Sequence, residues 1–263
     1  PAFYSYIAFI VVLVTAGLAI IVWPATLSAA TFTWNYSHLW IKDPGRNVHL
    51  LGHFWTLAVE EQFYLLWPAL LRRWTIPSAI TWSTAIILVM PFARLANDLL
   101  IPSQRGYEGM MFHTAADTIL CGCLAGIWYK HESPAWVRRL TEFKGIGVVC
   151  LLAALYVVPL ISERVRGFGT TLGTWLDGVV VAILLLHLLQ TRPKWAGVFE
   201  WQAVAWVGTL SYSLYLWQQA FTIEGPTKLP APWNIGACLL AAIASFYLIE
   251  QPARKALRRR WQV

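Results

Sequence analysis

An all-α, polytopic bundle of membrane-crossing helices is the fold that this 263-residue sequence predicts, and three observations carry it. Hydrophobic residues make up 58% of the chain and charged residues only 13%, against about 25% charged in soluble domains. Apolar runs near 20 residues recur, the length that a hydrocarbon core about 30 Å thick requires of a helix. Basic residues fall in short clusters between those runs, as they do in loops that border a membrane. Barrel strands would alternate polar and apolar residues, which these runs do not do. The net charge of +7 therefore reads as membrane topology, and no nucleic-acid partner is expected.

Eight spans follow in order: 5–25, 52–71, 77–95, 109–129, 145–162, 171–190, 203–222 and 232–250. Gly, Pro and polar clusters separate them, as turn formers do between apolar segments. If Pro1 enters from the cytoplasm, that side holds Arg72, Arg73, Lys130, Arg138, Arg139, Lys144, Arg192, Lys194 and a basic tail over 256–263, preceded by Arg254 and Lys255. The opposite side holds fewer: Lys42, Arg46, Arg94, Arg105, Arg164, Arg166 and Lys228. This bias places both termini in the cytoplasm. The longest connection, 26–51, reads either as an interfacial aromatic belt or as a re-entrant loop over an outward-opening cavity.

The second span sets two acids in an apolar, aromatic run. A carboxylate at mid-membrane costs roughly 2.5–3.5 kcal/mol on insertion scales, so Glu60 and Glu61 are functional candidates. At about 100° per residue, His53, Glu60, Tyr64 and Trp67 share one helix face, with Glu60 about 10 Å deeper than His53. Such a stripe suits a proton relay or a bound hydroxyl substrate. The alternative is that either acid pairs with an arginine and holds helices together. On the fourth span His113 and Asp117 lie one turn apart, which is half of a catalytic arrangement or, equally, a wet interfacial histidine beside a structural acid. Arg94 on the preceding span is the candidate partner of Asp117.

Elsewhere the signals are plainer. Asp177 and His187 lie in the sixth span, His187 with a structural or interfacial reading. Leu210-Ser-Tyr-Ser-Leu-Tyr-Leu-Trp-Gln-Gln219 sets hydroxyls and amides on one helix, either as glue between helices or lining a cavity. Glu250 precedes Pro252 at the last span's exit and expects a nearby base. Cys121, Cys123, Cys150 and Cys238 are small apolar packers without disulfide or zinc spacing. The sequence contains no G-x-S-x-G, Walker A or H-E-x-x-H pattern, and no metal is expected.

His53-Phe-Trp-Thr-Leu-Ala-Val-Glu-Glu-Gln-Phe-Tyr-Leu-Leu-Trp-Pro68 resembles the signature of the membrane-bound acyltransferase-3 family, H-F-W-S-L-x-V-E-E-Q-F-Y, with Thr56 in place of Ser. His113-Thr-Ala-Ala-Asp-Thr-Ile-Leu-Cys-Gly122 is similar to its T-x-x-D-x-x-x-x-G segment. Leu210-Ser-Tyr-Ser-Leu-Tyr-Leu-Trp217 is similar to S-Y-S-L-Y-L-W-H, and Ile249-Glu-Gln-Pro252 to the closing E-x-P. The resemblance covers residues 1–255 and implies a bacterial inner-membrane domain that moves an acyl group, most often acetyl. The donor would be a coenzyme A thioester and the acceptor a hydroxyl of a polysaccharide, peptidoglycan or lipid-linked glycan. Acetyl-CoA would be a substrate, with no permanently bound cofactor.

The resemblance implies Glu60, Glu61 and His53 as catalytic candidates. Trp55, Tyr64, Arg94, His113, Asp117, Tyr215 and Gln218 are the substrate-binding ones. The family's own base is a histidine in an R-x(10)-H element on its first helix. That element has no counterpart here, and eight spans instead of ten fit the loss of two N-terminal helices. Gln218 stands where many members carry His. The rival readings are a non-catalytic relative and a transporter using Glu60, Glu61 and Asp117 as a polar pathway.

Overall fold

The computed structural model describes residues 1–131 and 133–261. Among them every regular element is helical: α1 (Ala2–Thr15), α2 (Trp23–Ala30), α3 (Phe54–Leu71), α4 (Ile76–Leu100), α5 (Phe112–Lys130), α6 (Ala135–Glu142), α7 (Ile146–Leu152), α8 (Val158–Arg164), α9 (Thr174–Thr191), α10 (Gln202–Thr222), α11 (Trp233–Ser245) and α12 (Gln251–Trp261). Single π turns join α7 to α8, lead into α9 and join α11 to α12. Four helical stretches are long and apolar enough to cross a membrane: Ile76–Leu100, Ile146–Arg164, Gly169–Thr191 and Trp233–Arg259. The chain is a helical membrane protein.

Each expected span coincides with helix, except that the first is divided. Residues 5–25 form the end of α1, a break and the start of α2. The break is a left-handed Gly17, φ +71°. Leu18 N–H donates to the Leu13 carbonyl at 2.9 Å and Gly17 N–H to the Val14 carbonyl at 3.1 Å, the Schellman pattern that glycine ends a helix with. Pro24 then sits in the first turn of α2, where its missing N–H costs nothing. The long connection holds α2 and two 3₁₀ turns, Trp34–Leu39 and Val48–Leu51. The expected basic tail, 256–263, runs along α12 as far as the described residues extend, and its last two residues lie outside them.

Two compact units divide the chain: Pro1–Ala58 with the segment from Val198 onward, and Val59–Gly197. In the first, α1 buries Phe3, Tyr6, Ile7, Ile10 and Leu13, a three- and four-residue spacing that makes one apolar stripe. That stripe meets Leu50, Leu51, Phe54, Leu216 and Ala220 in a single core. Phe3 stacks on Phe32 with ring centroids 4.4 Å apart.

In the second unit α4, α5 and α9 pack together over Phe63, Ile87, Leu120, Cys121 and Leu124. Pro91 lies inside α4. Its ring nitrogen cannot donate to the carbonyl four residues back, that of Ile87. The indole Nε1–H of Trp175 donates there instead, at 2.8 Å. A backbone group freed in an apolar environment is thus satisfied from a neighbouring helix.

Candidate functional site

In the first unit the structure assembles a buried frame around His53, at the entry to α3. Two residues one turn apart on α10 hold it. The Tyr215 hydroxyl donates to the His53 carbonyl at 2.9 Å, and the Gln219 Oε1 accepts the His53 backbone N–H at 3.3 Å. That N–H belongs to the helix start, where no intrahelical partner exists. With the Tyr215 proton on the His53 carbonyl, the Thr56 hydroxyl, 2.9 Å from the same oxygen, is left to donate to the Tyr215 hydroxyl. Gly52 permits this approach: a Cβ there would stand 3.3 Å from Gln219 Oε1 and 3.1 Å from the His49 carbonyl.

The imidazole itself is boxed by aromatic rings. Tyr6 lies edge-on at 5.5 Å between centroids, Tyr215 at 5.2 Å and Phe54 at 4.6 Å. Tyr6 is anchored by its own hydroxyl, which donates to the Leu50 carbonyl at 2.9 Å. His53 is 4% exposed, and the Gln219 side chain and the Leu216 backbone are the polar groups that face its ring. Trp55 is partly buried against the same core. Gln218 is half-buried beside Gln219, and it is Gln219 that reaches His53. Sequence reading names Gln219 and Thr56 within their motifs without singling them out as site residues, and Tyr6 not at all. The four-residue interval between Tyr215 and Gln219, facing the small Gly52, was the available signal.

In the same unit two further motif segments meet. The Ser213 hydroxyl of α10 donates to Glu250 Oε2 at 3.0 Å, and Glu250, 2% exposed, pairs with Arg254 one turn on. The base expected for Glu250 is thus Arg254.

The second unit holds the remaining candidates. Glu60 is half-buried, and Glu61 and Tyr64 are exposed. Among the described residues neither acid makes an ion pair. Arg94 and Asp117, both fully buried, pair with each other. Arg94 also donates from Nε to the Thr114 carbonyl at 2.6 Å and from Nη1 to the Thr171 carbonyl at 2.9 Å. One guanidinium thereby ties α4, α5 and the π turn before α9, a three-way contact that its planar fork of donors suits. His113 is exposed at the edge of a cavity of about 170 Å³ that it shares with Phe63, Trp67, Trp74 and Phe112. His187, given a structural reading, is buried and bonds the Thr141 carbonyl through Nδ1 at 2.6 Å.

Chemically, Asp117 is paired with Arg94 through Oδ1 while its buried Oδ2 has no partner among the described residues, and Glu60 makes no ion pair there. Comparison with known proteins shows what the chain is similar to. The chain is 30% identical over 224 residues to the peptidoglycan O-acetyltransferase OatA of Listeria monocytogenes, a match covering 78% of this chain and 35% of that protein. It is 26% identical over 225 residues to a provisionally named peptidoglycan O-acetyltransferase, YrhL, of Bacillus subtilis, covering 78% and 34%. It is 26% identical over 229 residues to a provisionally named O-acetyltransferase of Staphylococcus aureus, covering 78% and 36%.

This chain is a homologue of O-acetyltransferases. It spans about a third of the length of these curated relatives. No protein-family model matches it, and no solved structure does.

Proposed function

We propose that this chain is the membrane domain of an O-acyltransferase that moves an acetyl group from acetyl-CoA to a hydroxyl of a cell-envelope glycan. The similarity to named O-acetyltransferases over 78% of the chain carries this reading. Two of the relatives are named for peptidoglycan, which makes a cell-wall polymer the first acceptor to test. On this reading the domain sits in a bacterial plasma membrane, and the bias of its basic residues supports both ends lying in the cytoplasm, the compartment of the donor.

The reaction sets the requirements. The acceptor oxygen attacks the thioester carbonyl, a C–O bond forms, the C–S bond breaks and coenzyme A leaves. The hydroxyl proton must pass to a base, and the departing sulfur must be neutralised. A base has to be neutral imidazole or carboxylate with a free acceptor atom. The resemblance assigns the base to a histidine of an R-x(10)-H element that these residues do not contain, and Glu60 would then shape the cavity where the hydroxyl meets the acyl carbon and handle its proton. Asp117, tied to Arg94, serves the fold. Tyr215 and Gln219 set the position of His53 by holding its backbone.

Glu60→Gln keeps the shape and hydrogen-bonding size of the side chain and removes its ability to take a proton. In the whole protein this variant is expected to fold and to lose about 100-fold in kcat for acetyl transfer. Full activity of the folded variant would remove Glu60 from the mechanism.

A further inference from the structure

Beneath α6, in the second unit, lies an apolar cavity of about 320 Å³ lined by Trp128, Trp136, Val137, Leu140, Trp175 and Leu186 among others. The acyl-transfer reading makes no use of it. Its size is at the lower end of small-molecule sites. No charged side chain lines it.

The helix that closes the cavity is amphipathic and firmly held. Val137 and Thr141 on α6 are buried, and Arg138 and Arg139 are exposed. The Thr141 hydroxyl donates to Gln190 Oε1 at 2.6 Å, and His187 Nδ1–H donates to the Thr141 carbonyl at 2.6 Å. Gln190 Nε2 reaches the Ser133 hydroxyl at 3.4 Å, which in turn donates to the Trp128 carbonyl at 3.0 Å. These bonds fasten α6 across the ends of α5 and α9, so the cavity is built into the resting fold and is not opened by α6 moving away.

Charge and aromatic residues around it have a consistent sense. Lys130, Arg138, Arg139 and Lys144 are all exposed at this end of the unit, with Glu142 the one exposed acid among the described residues 130–144. Trp136 and Phe143 are each 63% exposed, as side chains that sit at a membrane–water boundary are. Trp128 lines the cavity, and its buried Nε1–H has no partner among the described residues. An apolar slot, an unpaired N–H and exposed basic residues on a helix that lines the slot together match an amphiphile with a hydrocarbon chain, an ester oxygen and an anionic head.

We propose that this cavity holds one acyl chain of an anionic phospholipid from the surrounding bilayer, with its phosphate group against Arg138 and Arg139. Basic residues at the membrane surface attract anionic lipid. The cavity converts that general attraction into a defined site, because it takes the chain of one lipid out of the annulus.

Native mass spectrometry of the whole chain in detergent, with equal amounts of phosphatidylglycerol and phosphatidylcholine of identical chains, tests this. The first lipid bound should be phosphatidylglycerol by about tenfold. Exchanging both surface arginines, R138Q/R139Q, should bring the two lipids to within about twofold while the fold persists. Filling the slot with Ala182→Phe should remove the tightly retained lipid of either kind. No preference in the wild type, or a preference that R138Q/R139Q leaves intact, would overturn the proposal. Displacement of the lipid by palmitoyl-CoA, with no displacement in the other direction, would overturn it too and assign the slot to a long-chain thioester. None of these readouts depends on acetyl transfer, so failure here leaves the enzymatic reading to be judged separately.

Discussion

The side-chain oxygen of Gln219 accepts the backbone N–H of His53 at 3.3 Å, joining residues 166 positions apart. The contact fixes where α3 begins and so where the buried imidazole stands. If His53 serves the reaction, Gln219 is a positioning residue. Gln219→Ala is expected to lower kcat about tenfold with little change in KM, and to cost about 1 kcal/mol of stability as the N–H loses its acceptor. Tyr215→Phe should act in the same direction through the carbonyl of the same residue. Kinetics of the whole protein over a range of acetyl-CoA concentrations separates the two parameters.

Arg94 and Asp117 should matter to folding before they matter to chemistry. Either partner left alone is a buried uncompensated charge, and breaking such a pair costs about 3–5 kcal/mol. Arg94→Met and Asp117→Leu should each lower the unfolding midpoint sharply, and the double variant should be more stable than either single one. Thermal unfolding in detergent micelles gives the comparison. Arg94→Lys should not rescue, because an ammonium cannot span Asp117 and the carbonyls of Thr114 and Thr171 in the same geometry.

Trp175 and Pro91 are coupled through a single carbonyl. Trp175→Phe leaves the Ile87 oxygen without a donor, at a cost of about 1–3 kcal/mol. In a Pro91→Ala background the new backbone N–H reaches that oxygen within α4, so the cost of Trp175→Phe should shrink. A double-mutant cycle on unfolding free energy measures the coupling, and an unchanged cost would show that the indole bond is incidental.

His38, in the 3₁₀ turn 34–39, gives the fold a pH dependence. Burial holds its imidazole below the ordinary histidine value, so folding favours the neutral form. Its contribution is present above the unfolded pKa of about 6.5 and is lost as pH falls through the lower folded value. The midpoint should therefore drop between pH 7 and 5, and drop less in His38→Asn.

The long helices were legible because each is an apolar run of the right length bounded by turn residues, whereas α6 and α12, short and rich in charge, were not read as helices. The first run misled, since the residues on both sides of Gly17 are apolar and only the glycine's left-handed backbone divides them. Pairing of Arg94 with Asp117 could be foreseen because an intramembrane acid needs a partner and the preceding helix offered one. The partner of Glu250 was likewise readable at one-turn spacing. The frame around His53 was not, because it depends on which of two adjacent glutamines faces inward. One residue along a helix turns a side chain by about 100°, and composition does not choose between Gln218 and Gln219.

Acetyl transfer by the whole protein is the most direct test of the central claim. Membranes containing it would be incubated with acetyl-labelled coenzyme A and cell-wall glycan, and the glycan then assayed for base-labile label. Labelled ester is expected on the glycan, absent from membranes lacking the protein and strongly reduced in a folded Glu60→Gln variant. Label no higher than in membranes without the protein, under conditions where a relative is active, would contradict it.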